Sequence, residues 1–398
     1  MNRKDSTSFK SERGGWLAVL AITLGALSLV ITEFLPVGLI PDIGESFGVS
    51  KGTAGLALTS TAILGMVAAP LATIGIGRID RRKVLLTLTL MLILSNILSV
   101  LATNFILFMI ARIILGIGVG AFWAISIAAA ISVVSKEKAA RASALVFSGI
   151  SIGSVISVPA GAFLAAHFDW KISLIAASIL SIVVFFVQLF TIPKIPMERG
   201  ATIGDFILLL RSWKIRTILL ALIFTIGGQY AAYTYVTPFL QQVTGIGSNL
   251  LSFLLFAYGA LGIIGNFLGG LLAERNLSKA VVTTSIVLFL SLLIMTLFGD
   301  IKSLAIIGLV IWAIAFGMAP ICIQLWLSSA ANSPEIGQAT YTTVYQFSIG
   351  FGSLIGGVTV DHINLTSSMA LGSLLTLGTM IVVAFVLLKE KHSGLSLN

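Results

Sequence analysis

Charge is what this sequence has least of. Only 10% of its 398 residues are Asp, Glu, Lys or Arg, against 57% hydrophobic, whereas a soluble globular protein carries roughly a quarter charged residues. A water-soluble fold is excluded. There is a single cysteine, Cys322, inside a hydrophobic run, so no intrachain disulfide can form. The three histidines, His167, His362 and His392, fall at loop or tail positions without metal-ligand spacing. No HExxH motif and no pair of membrane aspartates is present. The chain is therefore not expected to be an enzyme or to need a metal or cofactor.

What it has instead is hydrophobic length. A helix needs about 20 apolar residues to cross a bilayer. Twelve such runs recur, at about 15–39, 53–75, 84–102, 105–134, 142–165, 172–192, 216–240, 250–272, 280–298, 303–329, 337–360 and 368–388. They are apolar on all sides, unlike the short alternating strands of an outer-membrane barrel. The first follows a basic stretch, as in a signal peptide, but is too long and lacks a small-residue cleavage site, so it reads as a retained span.

The net charge of +9 sets topology. With twelve spans and the N-terminus inside, 20 of the 24 Lys/Arg fall in cytoplasmic segments, three (Lys51, Lys171, Lys302) fall outside, and Arg112 lies within a span. That asymmetry follows the positive-inside rule with both termini cytoplasmic. It gives no reason to expect a nucleic-acid partner.

The longest non-apolar connection, IPKIPMERGATIGDFILLLRSWK, follows the sixth span. It divides the chain into an N-terminal six-helix half (1–192), a cytoplasmic linker (193–215) and a C-terminal six-helix half (216–398). Short echoes link the halves: Gly75-x4-Asp80-Arg81 with Gly269-x4-Glu274-Arg275, AlaPhe at 121–122 with 315–316, and SerIleGly at 151–153 with 348–350. Such a duplicated all-α membrane architecture, with a site between the halves near mid-membrane, is common among secondary transporters.

Along nearly its whole length the chain resembles the major facilitator superfamily. GRIDRRKVLL stands where that family has its charged loop between spans 2 and 3. ARIILGIGVGAFW is similar to its Arg-x3-Gly-x3-Gly pattern in span 4, and FDWK to an element before span 6. TEFLPVGL, GAFWAIS and QYAAYTYVTPFLQ resemble the drug:proton antiporter branch, most of all its bacterial sugar-efflux and purine-nucleoside-efflux members. Two departures stand out. The charged loop reads DRRK without the usual glycine, and span 5 reads SVPAG where the antiporter signature has Gly-Pro-x-x-Gly-Gly. The resemblance implies an inner-membrane carrier of small solutes, working by alternating access and exporting in exchange for protons.

Two charged residues lie well inside the spans: Glu33 and Arg112. Such residues are costly in a bilayer and mark functional sites or buried pairs. Glu33 precedes Pro41 by eight residues, and Arg112 follows Asn104 by eight, so both sit about 12 Å from the outer surface. A nearby arginine favours an ionised carboxylate and removal from water disfavours it. Glu33 is thus the candidate proton carrier and Arg112 its switch partner; the alternative is a static ion pair fixing spans 1 and 4. The span-1 acid and span-4 arginine of related antiporters occupy coupling positions.

In the loops, Asp80 and Arg81 with Glu274 and Arg275 form a candidate cytoplasmic latch, closed in the outward-open state. Gly116 and Gly120 sit mid-span without a preceding strand. They read as close helix contacts rather than a nucleotide turn. Pro36, Pro70, Pro159, Pro238 and Pro320 read as bends.

A solute pocket needs aromatic faces and a few polar groups. The candidates are Trp123 and Ser126 in span 4, Gln229 and Tyr233 in span 7, and Tyr345 and Gln346 in span 11. Phe122, Tyr230, Tyr258, Asn266, Trp312, Gln324 and Tyr341 are weaker candidates, and Tyr235 reads as part of an interfacial aromatic belt. Aromatic rings and amides suit sugars, nucleobases or amphipathic drugs. The expected protein is a monomeric, proton-coupled exporter in a bacterial inner membrane. The alternatives are a multidrug pump, or an uncoupled facilitator with a structural Glu33–Arg112 pair.

Overall fold

Every one of the twelve runs becomes a helix, because in hydrocarbon a backbone with no water to bond must satisfy itself internally. The computed structural model describes residues 12–75, 79–195, 203–331 and 334–393. Its helices are α1 (Glu12–Phe47), α2 (Lys51–Gly75), α3 (Arg81–Leu101), α4 (Phe105–Ser132), α5 (Ala139–His167), α6 (Lys171–Thr191), α7 (Ile203–Leu210), α8 (Trp213–Tyr233), α9 (Val236–Gln242), α10 (Ser248–Arg275), α11 (Leu277–Phe298), α12 (Lys302–Ala330), α13 (Pro334–His362) and α14 (Leu365–Ser393). Twelve of them are long and apolar enough to cross a membrane. The short α7 holds the amphipathic end of the linker, whose residues 196–202 lie outside the described residues.

Two helices depart from their sequence boundaries. The first continues through Pro36 and Pro41 to Phe47, which places Glu33 about 20 Å from its end rather than 12 Å. The seventh span breaks at Thr234 and Tyr235 before resuming as α9. Pro238 supplies the reason: its ring crowds the carbonyl four residues back, at Thr234, and it has no N–H to offer.

Neighbour relations repeat across the chain. In the first group α1 packs on α5 and α6, α2 on α4, and α3 on α4 and α6; in the second α8 packs on α13 and α14, α10 on α12, and α11 on α12 and α14. The groups meet where α2 lies along α13 and α5 along α10. Glycines fix the register. A β-carbon on Gly120 would sit within 2.1 Å of the Gly65 carbonyl, and one on Gly317 within 2.0 Å of the Gly262 carbonyl. The two left-handed glycines, Gly48 and Gly245, turn the chain between α1 and α2 and between α9 and α10. All three pairs are 197 positions apart, as is the SerIleGly echo.

That register corrects the others. Asp80 caps α3 by accepting from Arg82 N at 2.9 Å, and within one position of that register Asn276 caps α11 by accepting from Lys279 N at 2.8 Å. Glu274 and Arg275 are instead the last residues of α10. The AlaPhe echo is likewise three residues out of step.

Candidate functional site

Contact between the groups runs from one end of the bundle to its middle. At the end opposite the termini, Asp361 on the last turn of α13 caps α2. Its Oδ1 accepts from Gly52 N at 2.9 Å and its Oδ2 from Ser50 Oγ at 2.5 Å. Lys51 donates to Gln242 at 2.7 Å. Tyr235, expected in an interfacial aromatic belt, is fully buried here, and its hydroxyl donates to the Ser353 carbonyl at 3.0 Å with the Gly52 carbonyl alongside at 3.4 Å. The helix break before Pro238 is what turns it inward. Deeper, α2 and α13 touch at Thr59 and Gly350, and at Gly65 and Gln346. On the terminal side, a β-carbon on Gly75 of α2 or on Gly270 of α10 would meet nothing within 4 Å among the described residues.

The four latch candidates lie at the terminal end. Asp80 accepts from Ile195 N, and Arg81 donates to the Ala128 carbonyl at 3.0 Å, both within the first group. Glu274 and Arg275 stand exposed on the second. In this conformation the two pairs belong to separate groups.

Where the groups meet in the middle lies Glu33, 1% exposed. Its carboxylate Oε1 accepts from Gln346 Nε2 of α13 at 3.2 Å. Arg112 is fully buried beside it but does not address the carboxylate. Its guanidinium donates to three backbone carbonyls, of Ala57 at 3.2 Å, Thr32 at 3.1 Å and Glu33 itself at 3.0 Å. The expected side-chain pair is thus replaced by a side-chain-to-backbone clamp, and proline explains it. Pro36 has no N–H, so the Thr32 carbonyl lacks its helical donor, and Arg112 supplies one.

Around Glu33 the second group contributes an aromatic cluster. Phe34 stacks on Tyr230 with ring centroids 5.8 Å apart. Tyr230 meets Tyr233 and Phe316 edge-on, and its hydroxyl lies beside that of Tyr345. Tyr233 stacks on Tyr258 at 4.9 Å, and Trp312 stands edge-on to both. Gln229 ties this set together, donating to Tyr258 Oη at 2.8 Å and accepting from Trp312 Nε1 at 2.6 Å. Tyr341 lies beside Tyr345 and donates to the Pro320 carbonyl at 3.1 Å.

The structure therefore brings Gln229, Tyr233, Tyr345 and Gln346 into one neighbourhood with Glu33. It does not bring Trp123 and Ser126 there. Phe122 is buried in a separate core cluster with α1 and α3 residues such as Ile22 and Leu88, and Trp123, partly buried, packs against that cluster. Ser126 is buried beside Ile125 on the same helix. Gln324 pairs with Gln338 at 2.7 Å, and Asn266 is exposed. Phe34 and Phe316 were not singled out from sequence, though Phe34 directly follows the lone acid. Among the described residues no cluster of His, Cys, Asp or Glu is placed to hold a metal.

Two groups of membrane-length helices, meeting around a buried acid and an aromatic cluster, define a solute carrier. A family model described as "Major Facilitator Superfamily" matches residues 22–357. The purine ribonucleoside efflux pump NepI of Escherichia coli strain K12 is 30% identical over 380 residues, spanning 95% of this chain and 96% of the pump. Among solved structures, a D-xylose-proton symporter superposes with TM-score 0.74 at 16% identity, covering 92% of this chain and 97% of that one. The human organic anion transporter MFSD10 does so with TM-score 0.69 at 17% identity, covering 94% and 99%. The chain belongs to the Major Facilitator Superfamily and is a multi-pass bacterial membrane transporter, not an enzyme.

Proposed function

We propose that this protein exports a small, neutral, flat solute of the purine-nucleoside kind in exchange for protons, by alternating access, as a monomer in the bacterial cytoplasmic membrane. The observation that carries the reading is Glu33, a carboxylate buried where the two six-helix halves touch and hydrogen-bonded across that joint to Gln346. A carboxylate so placed marks a proton or ion pathway. Its load is felt by both halves at once, as exchange requires.

The basic residues at the terminal end support a cytoplasmic placement of that end. On this reading, the contacts of Asp361, Lys51 and Tyr235 close the outer end, and solute is received from the cytoplasm. In the opposite conformation Asp80 and Arg81 would meet Glu274 and Arg275 across the inner face. Stacked rings with amides between them favour a planar, hydrogen-bonding solute over an anion. The NepI likeness points to nucleosides.

The test is flux in proteoliposomes under an imposed pH gradient, following labelled inosine, arabinose and a cationic dye. Gradient-driven inosine movement alone is the expected result. Movement of the dye as well makes the carrier a multidrug pump, and gradient-independent movement makes it a facilitator.

A further inference from the structure

Gln346 is 2% exposed, and the two ends of its amide fare differently. Nε2 donates to Glu33; Oε1 is buried and accepts from no described residue. A buried acceptor without a donor is destabilising, so its persistence at this joint calls for a reason. The amide's orientation has an evident one. An ionised carboxylate only accepts, so it must be met by N–H, and that leaves the oxygen as the free end.

We propose that Gln346 is the positioning residue that makes proton and solute exclude one another, by turning its amide over when Glu33 takes up a proton. The proton comes from water on the open side and forms the O–H of a neutral Glu33; no other covalent bond changes. Glu33 then has a donor to offer, and the amide, whose terminal torsion is broad and soft, rotates so that Oε1 accepts it. The group turned towards the solute site thereby changes from acceptor to donor. A solute N–H or O–H that satisfied Oε1 in the ionised state loses its partner in the protonated state. By linkage, the bound solute in turn disfavours the proton.

Adjacent residues carry the change into the aromatic cluster. Glu33 and Phe34 are consecutive on α1, Tyr345 and Gln346 on α13, and Phe34 reaches Tyr345 through Tyr230. The other titratable groups facing Glu33 are few. Arg112 of α4 is held on backbone carbonyls, Tyr230 comes from α8 and Tyr345 from α13, while the charged residues of α2, α5 and α6 stand near their ends.

This rests on Glu33 being the proton carrier, and the experiment separates the two claims. Inosine binding to the purified carrier is measured at alkaline and acid pH in wild type, Glu33→Gln, Gln346→Met and Gln346→Asn. In wild type the affinity should fall at acid pH by about 5-fold or more, the lower range of allosteric coupling. Glu33→Gln should hold the weaker affinity at every pH. Gln346→Met should do the same with Glu33 intact, and Gln346→Asn, with its shorter amide, should show a reduced pH dependence. Should Gln346→Met not fold, Gln346→Asn decides alone. A Gln346 variant that keeps the full wild-type pH dependence overturns the proposal. So does Gln346→Met that binds no inosine at any pH while Glu33→Gln still binds, which makes Gln346 an ordinary contact. A wild type without pH dependence instead removes the proton-carrier reading beneath it.

Discussion

Asp361→Ala removes the carboxylate that α13 lends to the start of α2. Two hydrogen bonds go with it, from Gly52 N at 2.9 Å and from Ser50 Oγ at 2.5 Å. Losing a cap of this kind costs about 0.5–2 kcal/mol. Because α2 and α13 belong to different groups, that cost falls on the closed far end and is absent once it opens. The closed-to-open ratio should drop about 2- to 30-fold, at 1.4 kcal/mol per factor of ten. Lys51 with Gln242, and Tyr235 with Ser353, still hold the joint, so opening is favoured rather than complete. The assay uses spin labels at Thr103→Cys and Asn249→Cys, both exposed at the far end, in a Cys322→Ala background. Their distance distribution should gain a longer component in the variant, and Asp361→Asn should fall between. An unchanged distribution in Asp361→Ala would show that the cap does not govern closure.

Three further outcomes follow from local geometry. Arg112→Leu leaves the Thr32 carbonyl without a donor and should cost about 1–3 kcal/mol, read as a lower melting temperature in detergent; adding Pro36→Ala, which restores the helical N–H, should recover part of it. Gly120→Val places carbon where the Gly65 carbonyl already stands, and Gly317→Val does the same in the second group. Each should destabilise by at least the roughly 1–3 kcal/mol of an overpacked core, checked by the yield of monodisperse protein. Trp312→Phe keeps the ring but leaves Gln229 Oε1 without its donor, so inosine affinity and thermal stability should fall together.

Helix number was legible in the sequence because hydrocarbon leaves the backbone few options, and the runs are long. Helix ends were less so. Pro41 reads as a terminus, yet α1 passes through it, since a proline removes one helical bond without forcing a stop. The acid and the base stood out as the charges well inside the spans and matched in depth, but depth does not say which way a side chain points. Arg112 turns to carbonyls because Pro36 frees one of them, a relation visible only when α1 and α4 lie together. Tyr235 was misplaced because a helix break, not the helical period, sets its direction. Trp123 was drawn in by residue type, and the structure sets it partly buried against the first group's core cluster. The duplication was visible, but its register was blurred by chance echoes until the paired glycines at the helix crossings and turns fixed it.

The central claim, that proton movement through Glu33 is tied to solute movement, is tested most directly by the proton itself. Vesicles loaded with inosine and a trapped pH indicator are diluted into inosine-free buffer, with wild type beside Glu33→Gln. The account predicts that inosine leaving through the wild-type carrier draws protons in and acidifies the lumen, and that Glu33→Gln gives no acidification. Inosine efflux with no pH change in wild type, or equal acidification in both proteins, would contradict it.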